Sequence, residues 1–235
     1  MCGRIALFTP PIRMARLLEA TLAPGVDPEG HASWNIGPTR RVDGVSLRDG
    51  QRVLDRYRWG LIPSWAKDTS IATKTFNARA ETVAEKPSFR AAYKARRLLI
   101  PIDGFYEWDR SATPKPQPHY FSRADGAPMV CAGLFESWRD PAEGDDASVI
   151  STATMITTSA GEDMSSIHDR MPVVLEQETF DLWLSDDPDE LDAVGLLLRP
   201  AEEGTLIHHA VNRDVGNVRN DGPDLIAPAV PDTLF

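Results

Sequence analysis

The chain has 235 residues, room for one large domain or two small ones, with the 42% hydrophobic and 26% charged residues of an ordinary globular protein. No apolar run approaches a membrane-spanning helix or the core of a signal peptide, which argues against a helical membrane protein and places the chain, as an expectation, in the cytoplasm. The net charge of −10 hides a segregation: residues 1–100 carry 17 Lys and Arg against 9 Asp and Glu, and residues 101–235 carry 8 against 26. A basic first part suits nucleic acid; it suits equally well a neutralisation of the acidic remainder across one fold.

In chain order, helical spacing of apolar residues occurs at 12–21, followed by a loop-like stretch at 23–31 and a strand pattern at 53–59. Helical spacing returns at 79–85 and 88–96, and then strand patterns dominate, at 98–108, 119–122, 129–138, 148–158 and 172–175. Residues 113–118 and 140–146 read as loops within this stretch, and two more helices are expected at 178–184 and 188–198. Helices cluster toward the ends and do not alternate with strands. The expected class is therefore α+β, a single domain (core 2–228) around a largely antiparallel, barrel-like sheet. The two cysteines, Cys2 and Cys131, have no CxxC partner, so both should be free thiols in a reducing compartment.

Cys2 is the residue with the most distinctive chemistry. Removal of Met1 would leave an α-amine and a thiol on adjacent carbons, the arrangement among standard residues that traps an aldehyde as a five-membered thiazolidine. With an amine pKa near ~8 and a thiol pKa near ~8.5, about a tenth of the amine and a few per cent of the thiol are nucleophilic at neutral pH. A cysteine at position two also occurs by accident of sequence. Gly3 permits close backbone approach, and Arg4 suits a phosphate.

Three further residues have both a chemical and a bland reading. Asn77, where an extended segment runs into the helical pattern, suits a helix cap. Glu107, between Tyr106 and Trp108, suits an acid or base near neutral pH, or an outward-facing strand carboxylate. His168 suits a proton shuttle, or simple exposure between polar neighbours. His208 and His209 are adjacent, so on a strand they point to opposite faces and do not chelate together; no metal and no diffusible cofactor is expected. Trp59 reads as core and Trp65 as a surface aromatic in the basic part of the chain.

Several segments in order carry a family resemblance: Met1-Cys2-Gly3-Arg4, Trp34-Asn35-Ile36-Gly37-Pro38-Thr39, residues 59–65, 77–82 and 99–108, Ala132-Gly133-Leu134, Ile167-His168-Asp169-Arg170-Met171-Pro172, and Val211-Asn212. Together the chain resembles the SOS response-associated peptidase (SRAP) family of abasic-site processing proteins over nearly its whole length. The resemblance implies that Cys2, freed of Met1, forms a thiazolidine with the ring-opened abasic sugar in single-stranded DNA. It implies that Asn77 positions the reacting amine or adduct, that Glu107 assists the Schiff-base steps, and that His168 moves protons to open the sugar and reverse the link. Arg4, Asn35, Pro38, Trp65 and Arg79 fall where similar proteins bind the strand. The family's peptidase name is understood as removal of the initiator Met, beside a lyase-type activity on the lesion. A monomer, associated with the nucleoid when bound to DNA, is implied. Gly37 stands where an Ala is usual.

Two other classes remain open on the residues alone. An N-terminal-nucleophile amidohydrolase also begins Cys-Gly and uses its free amine as base; glutaminase activity would mark it. A non-covalent single-strand-binding module would leave Cys2 inert and bind intact and abasic strands alike.

Overall fold

The computed structural model describes residues 2–30, 32–112, 114–144 and 147–230. Their order is β1 (Ile5–Leu7), α1 (Pro11–Leu17), β2 (Thr21–Leu22), β3 (Ser33–Ile36), β4 (Arg41–Arg48), β5 (Gln51–Trp59), β6 (Asn77–Arg79) and α2 (Arg90–Ala95). Then come β7 (Arg97–Ile102), β8 (Gly104–Asp109), β9 (Gln117–Arg123), β10 (Met129–Trp138), β11 (Ile150–Ser159) and α3 (Glu162–Ser165). The last elements are β12 (Arg170–Pro172), β13 (Val174–Leu175), α4 (Phe180–Leu184), α5 (Leu191–Leu196) and β14 (Leu206–Ala210).

The strands form two sheets. Five run β14-β9-β8-β1-β3; nine belong to a second sheet along β12-β11-β10-β7-β4-β5-β2, with β13 added to β10 and β6 to β11. A parallel contact between β5 and β11, Thr152↔Arg58 and Ala153↔Trp59, joins two strands already linked through β10, β7 and β4, so these five close into a ring. This is the expected α+β class with a mostly antiparallel, barrel-like sheet. Strand β7 is buried along its whole length, which fits its apolar run from Leu98 to Ile102, because α2 and α4 pack on it; Arg97 at its start is buried by donating to the Tyr93 and Trp183 carbonyls.

Four local expectations are corrected. The run 98–108 is two strands, β7 and β8, in different sheets, because the chain turns at Asp103. The Asp103 carboxylate accepts the N–H groups of Phe8 and Thr9 at 2.6 and 2.8 Å and the Thr9 hydroxyl at 2.6 Å. Gly104 follows because a Cβ there would lie 2.3 Å from the Tyr120 ring. The helix expected at 79–85 is only a 3-10 turn, Ala80–Thr82, since residues 77–79 are spent as β6 on β11. The helix expected at 12–21 stops at Leu17, where Glu19 takes φ 51° and Thr21 begins β2. The stretch 172–175 divides between β12 and β13, which pair with β11 and β10.

Candidate active site

Strand β1 pairs through Ile5 with Phe105 of β8 and Ile36 of β3, and this carries the preceding Cys2 inside, with no exposed surface. Strand β6 lies parallel on β11, with Asn77 opposite Met155, and so brings the Asn77 side chain to Cys2. Asn77 Nδ2 donates to the Cys2 carbonyl oxygen at 2.6 Å. Its other atom, Oδ1, is buried and has no hydrogen-bond partner among the described residues. The residue before the 3-10 turn is Arg79, so Asn77 is not a helix cap.

Glu107 is 4% exposed, which excludes the outward-facing alternative. Its Oε2 lies 3.9 Å from His168 Nε2, and the His168 side chain is only 14% exposed. His168 Nδ1 is 3.0 Å from the Arg170 N–H and 3.0 Å from Asp169 Oδ1. A neutral ring accepts the amide hydrogen there; a protonated ring donates to the carboxylate, so each charge state finds a partner. Burial pushes the Cys2 thiol well above its usual range, and Glu107 and then Cys131 raise it further, so the sulfur is held as S–H. Cys2, Asn77, Glu107 and His168, from four separate segments, thus share one enclosed polar cluster. Met1, whose removal the aminothiol reading requires, lies outside the described residues.

The strand-contact candidates divide. Arg79 and Trp65 are exposed, Trp65 at 58%, and Pro38 is half-buried beside Thr39, which holds φ 73°. Arg4 and Asn35 are instead engaged internally. Arg4 Nη1 donates to Asn35 Oδ1 and to the Val215 carbonyl, both at 2.7 Å, with its guanidinium 5.9 Å over the Trp108 ring. Asn35 Nδ2 is shared among the carbonyls of Val215, Asn217 and Asn220 at 3.3, 3.0 and 2.7 Å. The pair therefore clasps residues 215–220 against β3.

Two residues escaped the sequence reading. Arg170 donates to both Glu81 oxygens, at 2.6 and 3.0 Å, and to the Thr157 carbonyl at 2.6 Å, tying the strand after His168 to the turn after Asn77 across β11. Its place in the His168-Asp169-Arg170-Met171-Pro172 segment was the available signal. His119 stands opposite Glu107 in the β8–β9 register and contacts His208 (Nδ1 to Nδ1, 3.0 Å); no local signal marked it. His209 turns to the other face, to the Ile226 carbonyl and the Tyr120 ring, as strand alternation requires. Trp59 is core, its indole N–H on the Phe76 carbonyl at 2.8 Å. Cys2 and Cys131 are both free thiols. Among the described residues no group of three or more His, Cys, Asp or Glu could hold a metal, and no helix is long and apolar enough to cross a membrane.

Fold and site together define a mixed α+β protein that encloses a thiol near its N-terminus in a cluster of amide, carboxylate and imidazole. The family model described as SOS response associated peptidase (SRAP) matches residues 1–218, and the chain belongs to that family. It is 37% identical over 228 residues to the Bacillus subtilis (strain 168) protein named abasic site processing protein YoqW, covering 96% of this chain and 99% of that one. The Gallus gallus protein named abasic site processing protein HMCES is 30% identical over 267 residues, covering 97% of this chain and 78% of that one. A crystal structure of a Bacteroides thetaiotaomicron protein matches the fold with a TM-score of 0.85 at 24% identity, covering 97% of this chain and 100% of that one.

Proposed function

We propose that this protein processes abasic sites, capturing the ring-opened abasic sugar of single-stranded DNA as a thiazolidine on Cys2 once Met1 is removed. The observation that carries this reading is Asn77 Oδ1, a buried acceptor beside Cys2 without a partner among the described residues. Leaving such an atom unsatisfied costs on the order of 1–3 kcal/mol, and an N–H of the Cys2 amine or the hydroxyl of the first adduct offsets that cost. The relatives named abasic site processing proteins support the substrate class.

The chemistry follows from the groups present. The α-amine adds to C1′ of the open sugar, giving a carbinolamine. Glu107 supplies a proton to the departing hydroxyl, water leaves, and a Schiff base forms. The Cys2 sulfur then bonds to C1′ while its proton passes to the nitrogen, closing the ring; one water is lost overall. Because the resting sulfur is held as S–H, it must give up its proton to become nucleophilic, and the nitrogen is the group that takes it. His168, next to Glu107, is assigned the proton transfers that open the closed sugar and reverse the link. In this reading Arg79, Trp65 and Pro38 contact the strand directly, Arg4 and Asn35 shape its seat, and one copy of the chain suffices. The peptidase part of the family's name is assigned to removal of Met1.

Intact-mass analysis with an abasic oligonucleotide tests the reading. The expected species has the summed mass less one water and the initiator Met, is absent with an intact strand, and is absent with Cys2→Ala. A heat-stable adduct formed by Cys2→Ala would overturn the assignment of the nucleophile.

A further inference from the structure

A cavity of about 660 Å³ opens between the β1–α1 corner and the β4–β5 hairpin, and none of Cys2, Asn77, Glu107 or His168 lines it. Its volume falls in the range of small-ligand sites. Asp43, only 4% exposed, is part of its wall. Among the described residues the Asp43 carboxylate has no hydrogen bond; Arg56 Nε lies 3.6 Å from its Oδ1, beyond hydrogen-bonding distance, and that Nε is itself buried without a partner. Burial raises the Asp43 carboxyl to about 6, with Arg56 opposing the rise and Asp55 adding to it. A buried carboxylate without a hydrogen bond, beside a guanidinium whose Nε is buried and unpaired while its side chain is 40% exposed, is costly unless something else completes it.

The surroundings indicate what completes it. Leu7, Pro11 and Ile36 contribute apolar lining, and Arg40 and Arg41 add cations; of the wall's other carboxylates, Asp27 accepts the Glu29 N–H, Asp221 accepts the Ser33 hydroxyl and the Trp34 N–H, and Glu29 is the third. Arg41 also faces Arg58 directly across the hairpin, a like-charge pairing that is unfavourable without an anion between them. The Watson–Crick edge of guanine presents two donors, the N2 amino group and N1–H, followed by the O6 acceptor. Asp43 and Arg56 present the complementary order: two acceptor oxygens followed by a donor. Adenine, cytosine and thymine do not offer two adjacent donors.

We infer that this cavity binds a guanine nucleotide, with its base edge on Asp43 and Arg56 and its phosphate toward Arg40 and Arg41. The nucleotide is either free or a guanosine flanking the lesion in a bound strand. The inference does not rest on the covalent chemistry at Cys2, and its test uses the Cys2→Ala protein in parallel so that the two readings fail separately.

Calorimetric titration with GMP, AMP and CMP at pH 7.5 addresses the free nucleotide. Fluorescence anisotropy with abasic strands of thymidine carrying or lacking one adjacent guanosine addresses the strand. Guanine is preferred at least ten-fold in one arm, equally in Cys2→Ala, and the preference is lost in Asp43→Asn, whose amide offers one acceptor instead of two. Asp43→Asn melts no lower than the parent and forms adduct on guanine-free strands at the parent rate. No guanine preference in either arm overturns the inference. So does a lowered melting temperature or impaired guanine-free adduct formation in Asp43→Asn, since either marks Asp43 as a structural residue.

Discussion

Asn77 and Cys2 are joined by a single short hydrogen bond, 2.6 Å from the side-chain amide to the main-chain carbonyl, across 75 positions of sequence. The bond fixes the rotation of the Cys2 peptide, and with it the direction in which an amine on the same residue would point. It also turns Asn77 Oδ1 toward an interior where no described residue partners it. Asn77→Ala is therefore expected to slow adduct formation at least ten-fold, with little change in affinity for an intact strand. Asn77→Asp keeps an acceptor but sets oxygen against the carbonyl oxygen, and is expected to be slowed as well. Single-turnover cross-linking measures both, and a parental rate in Asn77→Ala would remove Asn77 from the mechanism.

Glu107 and His168 lie 3.9 Å apart, and the proposed mechanism assigns them different steps. Every aldehyde must lose water to form a Schiff base, so Glu107→Gln slows cyclising and non-cyclising aldehydes alike. Only a cyclising sugar needs ring opening, so His168→Gln slows the abasic sugar by at least ten-fold more than an aldehyde that cannot close. Cross-linking rates with both substrates decide, and equal slowing by His168→Gln would contradict the assignment of sugar opening to His168.

The buried Asp43 carboxyl, raised to about 6, makes stability depend on pH with a definite sign. A carboxyl that binds its proton more tightly folded than unfolded stabilises the fold fully below about pH 4, and that contribution is lost as pH rises through about 6. The loss is on the order of 2–3 kcal/mol, several degrees of melting temperature for a chain of this size. Asp43→Asn has no proton to lose. Its melting temperature should exceed the parent's increasingly between pH 5 and 7.5 and match it near pH 4; a constant gap across that range would show that Asp43 does not titrate there.

Arg79 and Asn35 should part company in a salt titration. Arg79 is exposed, and if it neutralises one phosphate then Arg79→Ala lowers the slope of log affinity against log salt by about 0.7–0.9. Asn35 is 6% exposed and holds three carbonyls of the 215–220 segment. Asn35→Ala is expected to leave the slope unchanged, to cost roughly 2–4 kcal/mol of stability, and to open residues 213–221 to limited proteolysis. A lowered slope for Asn35→Ala would show that Asn35 meets phosphate directly.

What could be read in advance follows the range of the interaction. Strand β10 was legible to its ends because its apolar pattern alone defines it, whereas β4 was missed because Asp43-Gly44 interrupts its alternation. The Asp49-Gly50 pair that turns β4 into β5, with φ 51° and 75°, was a usable hairpin signal. Cys2 announces itself by its own chemistry. Asn77, Glu107 and His168 do not: each has a bland reading as sound as its chemical one, and what separates the two is pairing between distant strands, so only the family resemblance singled them out. The same limit hid the internal engagement of Arg4 and Asn35, whose partners lie about 180 residues or more downstream.

The β6–β11 pairing that closes Asn77 over Cys2 also sets a clock during synthesis. The thiol leaves the ribosome first, but its enclosure waits for Met155, at about 5–20 residues per second an interval of roughly 10 to 30 s. Throughout that interval a naked aminothiol would be open to any small metabolic aldehyde, and a thiazolidine formed then would be sealed into the finished fold. Under the proposed function, an initiator Met kept until the strands have closed would deny such aldehydes the amine and would arm the protein only once Asn77 stands over Cys2.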